Sequence, residues 1–354
     1  MRHMRILLTV TFSLMLGAAT LTADDDPVRP AHSDSGLAWY DVSVIGVEGK
    51  GWTDTKASYD RLPARAEGVV RKPVWGLSRD AAGLCVRFAT DAPSISVAWD
   101  GGGGLQHMPA TGRSGLDLFV RREGQWRFTR VARPEQEWTV RRLFEGRSQQ
   151  RREYLMYLPL YNSVSKVEIG VPDDCTLWRL PKPEGKPVVF YGTSITQGGC
   201  ASRPGNVHTA ILGRWLEREV INLGFSGNGR MEPEMAELIS EIDPAVLLID
   251  CIPNVGGDIG TLTEPFMEIY RKRRPDTPVL LVENIRPSDA AANRLMREAW
   301  QRLIAAGDEH IHLLECTMDV WLNGDATVDG VHPTDLGFLL MAKWMQGPIG
   351  VLLK

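Results

Sequence analysis

The chain has 354 residues, 43% apolar and 24% charged, a mix that excludes a disordered or collagen-like polymer and gives enough length for about two domains with cores of their own. Against 40 Lys and Arg stand 44 Asp and Glu, a net charge of −4, so no general electrostatic attraction to nucleic acid is expected. At the N-terminus Arg2 and Arg5 precede the mostly apolar stretch 6–19, and small residues reach Ala23 before Asp24, Asp25 and Asp26. That order predicts a secretory signal peptide over residues 1–23, and hence an exported protein, periplasmic or extracellular. Leu21, at the −3 position of a cut after Ala23, departs from the A-x-A pattern. No later segment offers the roughly 18 uninterrupted apolar residues of a membrane span, so no stable membrane insertion is expected after signal removal.

Residues 24–180 read as a β-rich accessory domain. Short runs at Val69-Val70, 84–88, 95–99, 116–120, 126–131, 154–158 and 164–169, with alternation in SISVAW and CVRF, predict strands rather than long helices. Seven of the 11 tryptophans precede residue 181, which suits inward-facing sandwich positions or a sugar-stacking surface. The run Gly101–Gly104 reads as a turn, since it lacks the spacing of a phosphate-binding loop. The stretch 141–153, RRLFEGRSQQRRE, reads as a solvated connection or hairpin face, with contact to an anionic saccharide or to the second domain as the alternative. The five cysteines, at 85, 175, 200, 251 and 316, form no CxxC unit and no zinc-ligand rhythm.

Residues 181–187, within LPKPEGKP, form a stiff connector. From 188 to 354 the rhythm changes: strands at 188–190, 220–223, 245–249, PVLLVEN and IHLLE alternate with helices at 208–219, 233–241, 264–274 and 290–306. Strands alternating with helices predict a mostly parallel sheet covered on both faces.

In VVFYGTSITQGG a buried strand feeds Ser194 at the start of a helix, where a hydroxyl projects into a crevice beside free N–H groups. A helix-capping serine is the alternative on this fragment alone. Distant partners occur in DGVHP, where Asp329 can orient His332 and His332 can take the Ser194 proton. Gly227 in INLGFSGNG and Asn254 in LLIDCIPN follow strand-like runs and can donate to an oxyanion together with the Ser194 N–H. No metal or organic cofactor is required by such chemistry.

These four blocks, YGTSITQGG, NLGFSGNG, DCIPN and DGVHP, resemble those of the SGNH hydrolase superfamily, which includes the GDSL-type esterases and lipases. The familiar GDS opening is GTS here, with Thr193 in place of the aspartate. GLDLF at 115–119 is similar to the GxDLY signature of a β-rich domain that often precedes one branch, with Phe119 replacing tyrosine. The resemblance implies an α/β/α three-layer sandwich with a mostly parallel sheet, preceded by a jelly-roll-like β-sandwich. It also implies Ser194 as nucleophile, His332 as base and acid, Asp329 as its orienting group, and Ser194, Gly227 and Asn254 as the oxyanion hole. Export, the tryptophan-rich first domain and the branch together point to an acylated carbohydrate, with Gln197, Arg203, Asn228 and Trp321 as candidate substrate contacts. The alternatives are a non-catalytic carbohydrate-binding protein, and an esterase or acyltransferase for another small acylated substrate. Oligomeric state is not legible.

Overall fold

The computed structural model describes residues 26–316 and 324–354. The signal peptide expected over 1–23 and the candidate contact Trp321 lie outside the described residues.

Two antiparallel sheets face one another over residues 32–179, forming the jelly-roll-like sandwich. One runs in the order His32–Asp34, Leu37–Asp41, Val167–Pro172, Ile95–Asp100, Trp138–Phe144. The other runs Leu177–Arg179, Cys85–Thr90, Arg152–Tyr157, Leu116–Arg122, Gln125–Ala132, with Val47–Glu48 beside Cys85–Thr90. Period-two alternation sorts each strand between two environments. In Leu116–Arg122, Leu116, Leu118 and Val120 enter the sandwich core with Trp99, Phe88 and Tyr154, while Asp117 and Phe119 face the other way. That outer face is also buried, because Phe119 packs with Leu155, Tyr157 and Ala210 of the second domain.

The second half is a five-stranded, wholly parallel sheet in the order Val220–Gly224, Val188–Gly192, Val246–Asp250, Val279–Val282, Ile311–Leu314. Helices Pro233–Glu241, Ile259–Arg271 and Ala290–Ala305 cover one face through Met235, Phe266, Met267 and Met296. Helices His208–Leu216 and Asp335–Leu352 cover the other through Ile211, Phe338, Met341 and Met345. The chain runs from the first strand of this sheet, Val188–Gly192, to one neighbour and then crosses to the other. That reversal opens a crevice at the carboxyl end of Val188–Gly192.

The β-strand expected at Val69-Val70 is instead a turn leading into helix Lys72–Ser78. Val69 is 58% exposed, whereas Val70 joins Trp52, Leu62, Ala66 and Val74 in the core of the α/β half. Residues 52–74 therefore belong to the α/β core by packing, although they precede most of the sandwich in sequence. The arginine-rich stretch is the end of strand Trp138–Phe144, a loop and the start of Arg152–Tyr157, and its arginines find local partners: Arg141 pairs with Glu135, Arg142 with Glu145, Arg147 lies over the Phe144 ring, and Arg152 donates to Ser148 and Gln150. No helix among the described residues is long and apolar enough to cross a membrane.

Candidate active site

The strand Val188–Gly192 delivers Ser194 to the crevice as the first residue of the one-turn helix Ser194–Gln197. Thr193 caps that turn, its Oγ1 accepting from the Ile195 N–H at 3.3 Å, so the residue that replaces the aspartate of GDS keeps an oxygen at the capping position. The turn fits against the neighbouring strand only because Gly224 has no side chain: a Cβ there would lie 2.1 Å from the Gln197 nitrogen.

His332 arrives from a loop closed by a bridge between Thr327 and Pro333 and by Val328 N–H donating to the His332 carbonyl at 2.8 Å. Its Nε2 lies 2.9 Å from Ser194 Oγ, and its Nδ1 lies 2.8 Å from Asp329 Oδ2. Asp329 Oδ1 also accepts from the backbone N–H groups of His332 and Val331 at 2.8 and 2.9 Å. Partial burial raises the Asp329 carboxyl, but these N–H groups and the imidazole outweigh it and hold the group down at about 2. A permanent carboxylate beside Nδ1 fixes the proton there and leaves the Nε2 lone pair facing the hydroxyl. His208, nearer in sequence, is no rival: it is buried between Phe190 and Phe338, and desolvation holds it neutral, down to about 3.

The loop after Val220–Gly224 packs beside the Ser194 turn, with Phe225 N–H donating to the Gly192 carbonyl at 3.0 Å. Gly227 has φ of +67°, a conformation natural to glycine, and no hydrogen bond among the described residues uses its N–H or that of Ser194. The donors around Asn254 set its amide orientation: Oδ1 accepts from the Asn228 and Gly229 N–H groups, each at 3.0 Å. That orientation turns Nδ2 away from those two donors. Ser194, His332 and Asp329 are thus joined in one series, while the loop that carries Gly227 is tied to the Ser194 turn through Gln197.

The other expected contacts have different places. Gln197 is fully buried; its Oε1 accepts from Ser226 N–H at 2.9 Å, and its Nε2 donates to Leu160 O and Asp80 Oδ2, each at 3.3 Å. It is a strut under the Gly227 loop rather than a contact. Arg203 donates to Asp117 Oδ2 at 2.8 Å and stacks on Phe128, with its guanidinium 3.9 Å from the ring centre. It clasps the two domains, because Asp117 belongs to GLDLF and also takes the Gly205 N–H at 2.8 Å. Asn228 is held by Arg71, which donates to its Oδ1 at 2.7 Å and its carbonyl at 3.1 Å. Its side chain is spent on holding the loop.

Several supporting residues come from the first half and have no sequence motif. Arg61 is fully buried and donates to the carbonyls of Asn222 and Gly224 at 3.0 and 2.8 Å, closing the strand end below the oxyanion loop. Tyr161 donates to the Ser194 carbonyl at 3.3 Å. Asp250 sits buried at the carboxyl end of the central strand Val246–Asp250, where desolvation pushes it up to about 7 against the opposing pull of Thr196 and Arg286. Among the cysteines, Cys200 is a free, buried thiol raised to about 11, first by burial and then by Asp329, so it does not compete with Ser194 as nucleophile. A cavity of about 620 Å³ between the domains, lined by Glu48, Arg87, Trp126, Tyr157 and Arg214, contains none of the relay residues.

Two family models match the chain: a GDSL-like lipase/acylhydrolase family over residues 185–349 and the N-terminus of Esterase_SGNH_hydro-type over residues 37–177. A solved GDSL-like lipase from Bacteroides ovatus is 30% identical, with a TM-score of 0.85 over 90% of this chain and 98% of that one. A salicylyl-acyltransferase from a tetracycline biosynthetic pathway shares the fold at 19% identity and a TM-score of 0.68, over 94% and 99%. An acetyl xylan esterase from the rumen bacterium Butyrivibrio proteoclasticus shares it at 14% identity and 0.59, over 90% and 99%. No curated protein matches the chain.

Proposed function

This chain belongs to the GDSL-like lipase/acylhydrolase family, and from that premise we propose an exported serine esterase that removes acetyl or other short acyl groups from carbohydrate. The observation that carries the reading is the unbroken series Ser194 Oγ, His332 Nε2, His332 Nδ1, Asp329 Oδ2, with contacts of 2.9 and 2.8 Å. Ser194 Oγ attacks the ester carbonyl while His332 Nε2 takes its proton, and Asp329 stabilises the imidazolium that results. The carbonyl oxygen, now negative, is received by the N–H groups of Ser194 and Gly227 and by the Asn254 amide. His332 then gives its proton to the departing sugar oxygen. Water enters, loses a proton to His332, and releases the acyl group from Ser194.

Carbohydrate is supported by the β-sandwich packed against the hydrolase fold and by the shared architecture with the acetyl xylan esterase. Export is supported by the basic and then apolar order of residues 1–23. The test is acetate release from acetylated xylan and acetylated oligosaccharides, set against 4-nitrophenyl esters of increasing chain length. Acetate release by the wild type, with at least about a thousandfold loss in Ser194→Ala, is expected. Turnover confined to long-chain esters overturns the substrate assignment, and turnover indifferent to Ser194→Ala overturns the mechanism.

A further inference from the structure

His107, Cys200 and His332 place one ligand atom each within 4.8 Å of one another. From this convergence we propose a site for a thiophilic divalent cation of the zinc class at the mouth of the crevice, where occupancy shuts the esterase off. The inhibitory part rests on the esterase reading given above.

Three chain segments far apart in sequence build the cluster, and each is anchored independently. His107 lies in a tight turn closed by Leu105 N–H to Met108 O at 2.9 Å, and Met108 is buried in the core of the second domain. Two further contacts dock this loop on the segment that carries Cys200: Thr111 Oγ1 donates to Ser202 O at 2.6 Å, and Gly112 approaches Ala201 so closely that a Cβ would lie 2.0 Å from its carbonyl oxygen. Cys200 itself has φ of +73°, a left-handed conformation that costs about 1 kcal/mol or more for a residue with a side chain. The His107 and His332 rings stand with centroids 5.7 Å apart.

Two imidazoles and a thiol form a donor set suited to zinc, with a fourth position left for water. Tetrahedral zinc spaces such ligands by roughly 3.3–3.8 Å, so closure asks for a shift of about 1 Å, within the rotamer freedom of the exposed His107. Because Asp329 holds the proton on Nδ1 of His332, the lone pair offered to the cation is on Nε2. A carboxylate behind a ligating imidazole is the usual outer support of a zinc site, and here the hydrolytic relay supplies it ready-made. Binding releases the Cys200 thiol proton to solvent and occupies the nitrogen that must accept the Ser194 proton. Metal and catalysis therefore compete for one lone pair.

The test uses metal-free full-length protein and two readouts. Cobalt(II) titration should give a thiolate-to-metal charge-transfer band that zinc(II) displaces, and Cys200→Ser should lose it. Zinc should inhibit ester turnover reversibly, with a chelator restoring it. His107→Ala, referred to its own metal-free rate, should need at least about tenfold more zinc for half inhibition. A thiolate band that depends on Cys200 and His107 in a protein without ester turnover upholds the metal site and overturns the esterase reading. Absence of the band, or zinc inhibition unchanged in both variants, overturns the site.

Discussion

Replacing Gln197 with leucine separates a strut from a substrate contact. The wild-type side chain receives the Ser226 N–H at 2.9 Å and donates to Leu160 O and to Asp80 at 3.3 Å each; leucine has a similar size and makes none of these bonds. An unpaired, part-buried Ser226 N–H costs about 1–2 kcal/mol, and loss of the two longer bonds adds about as much again, so unfolding free energy should fall by about 2–4 kcal/mol. Ser226 precedes Gly227, whose N–H is assigned to the oxyanion pocket. Outright loss of one such donor costs on the order of a hundredfold to a thousandfold in kcat. A donor that is loosened rather than lost should cost about tenfold to a hundredfold, with KM changed by less than about threefold. Urea unfolding and steady-state kinetics on 4-nitrophenyl acetate measure both quantities. An unchanged urea midpoint together with a raised KM would refute the reasoning and return Gln197 to the substrate.

Asp117→Asn should destabilise the protein by about 2–4 kcal/mol, because Arg203 loses the carboxylate it faces in a buried setting; thermal unfolding checks this, and an unchanged Tm would show that the domain clasp is not energetically important. Asp329 makes a pH-dependent contribution of defined sign. Its carboxyl is depressed in the folded state from 3.8 to about 2, so its stabilisation is fully present above 3.8 and is lost as pH falls toward 2. With 40% of that side chain exposed, the amount is under about 1 kcal/mol. Between pH 5 and pH 2.5, chosen as rough brackets of that window, the wild type should lose slightly more stability than Asp329→Asn; an equal or smaller loss would contradict the assignment.

The α/β half was legible because most of its strands are short apolar runs alternating with helical patterns, and the parallel sheet follows from that alternation, although the last helix, Asp335–Leu352, was not read. Three of the four site blocks, those of Ser194, Gly227 and Asn254, were legible because each lies just after a strand, where chemistry collects in such sheets, whereas DGVHP stands fifteen residues beyond Leu314 and was legible from its own Asp, Gly, His and Pro spacing. What supports them was hidden, since Arg61 and Arg71 bind backbone and amide oxygens more than 150 positions away, a pairing that leaves no local pattern. Val69-Val70 misled for a similar reason: the apolar pair suits a strand, but one residue faces solvent and the other packs on a domain that comes later in the chain. Gln197 and Arg203 lie beside the nucleophile in sequence, yet the turn of the helix and the Asp117 clasp direct them inward. The cluster of His107, Cys200 and His332 was invisible as spacing because its members come from three separate loops, two folded together within the α/β half and the third, that of His107, brought in by the first half of the chain.

The relay itself is tested most directly by kcat for Ser194→Ala, His332→Ala and the double variant on one ester. Groups that act as a unit are not additive, so each single change should bring turnover to the same low floor and the double change should take it no lower. Independent, multiplying losses, or substantial turnover left in Ser194→Ala, would contradict the claim that these two side chains form one catalytic device.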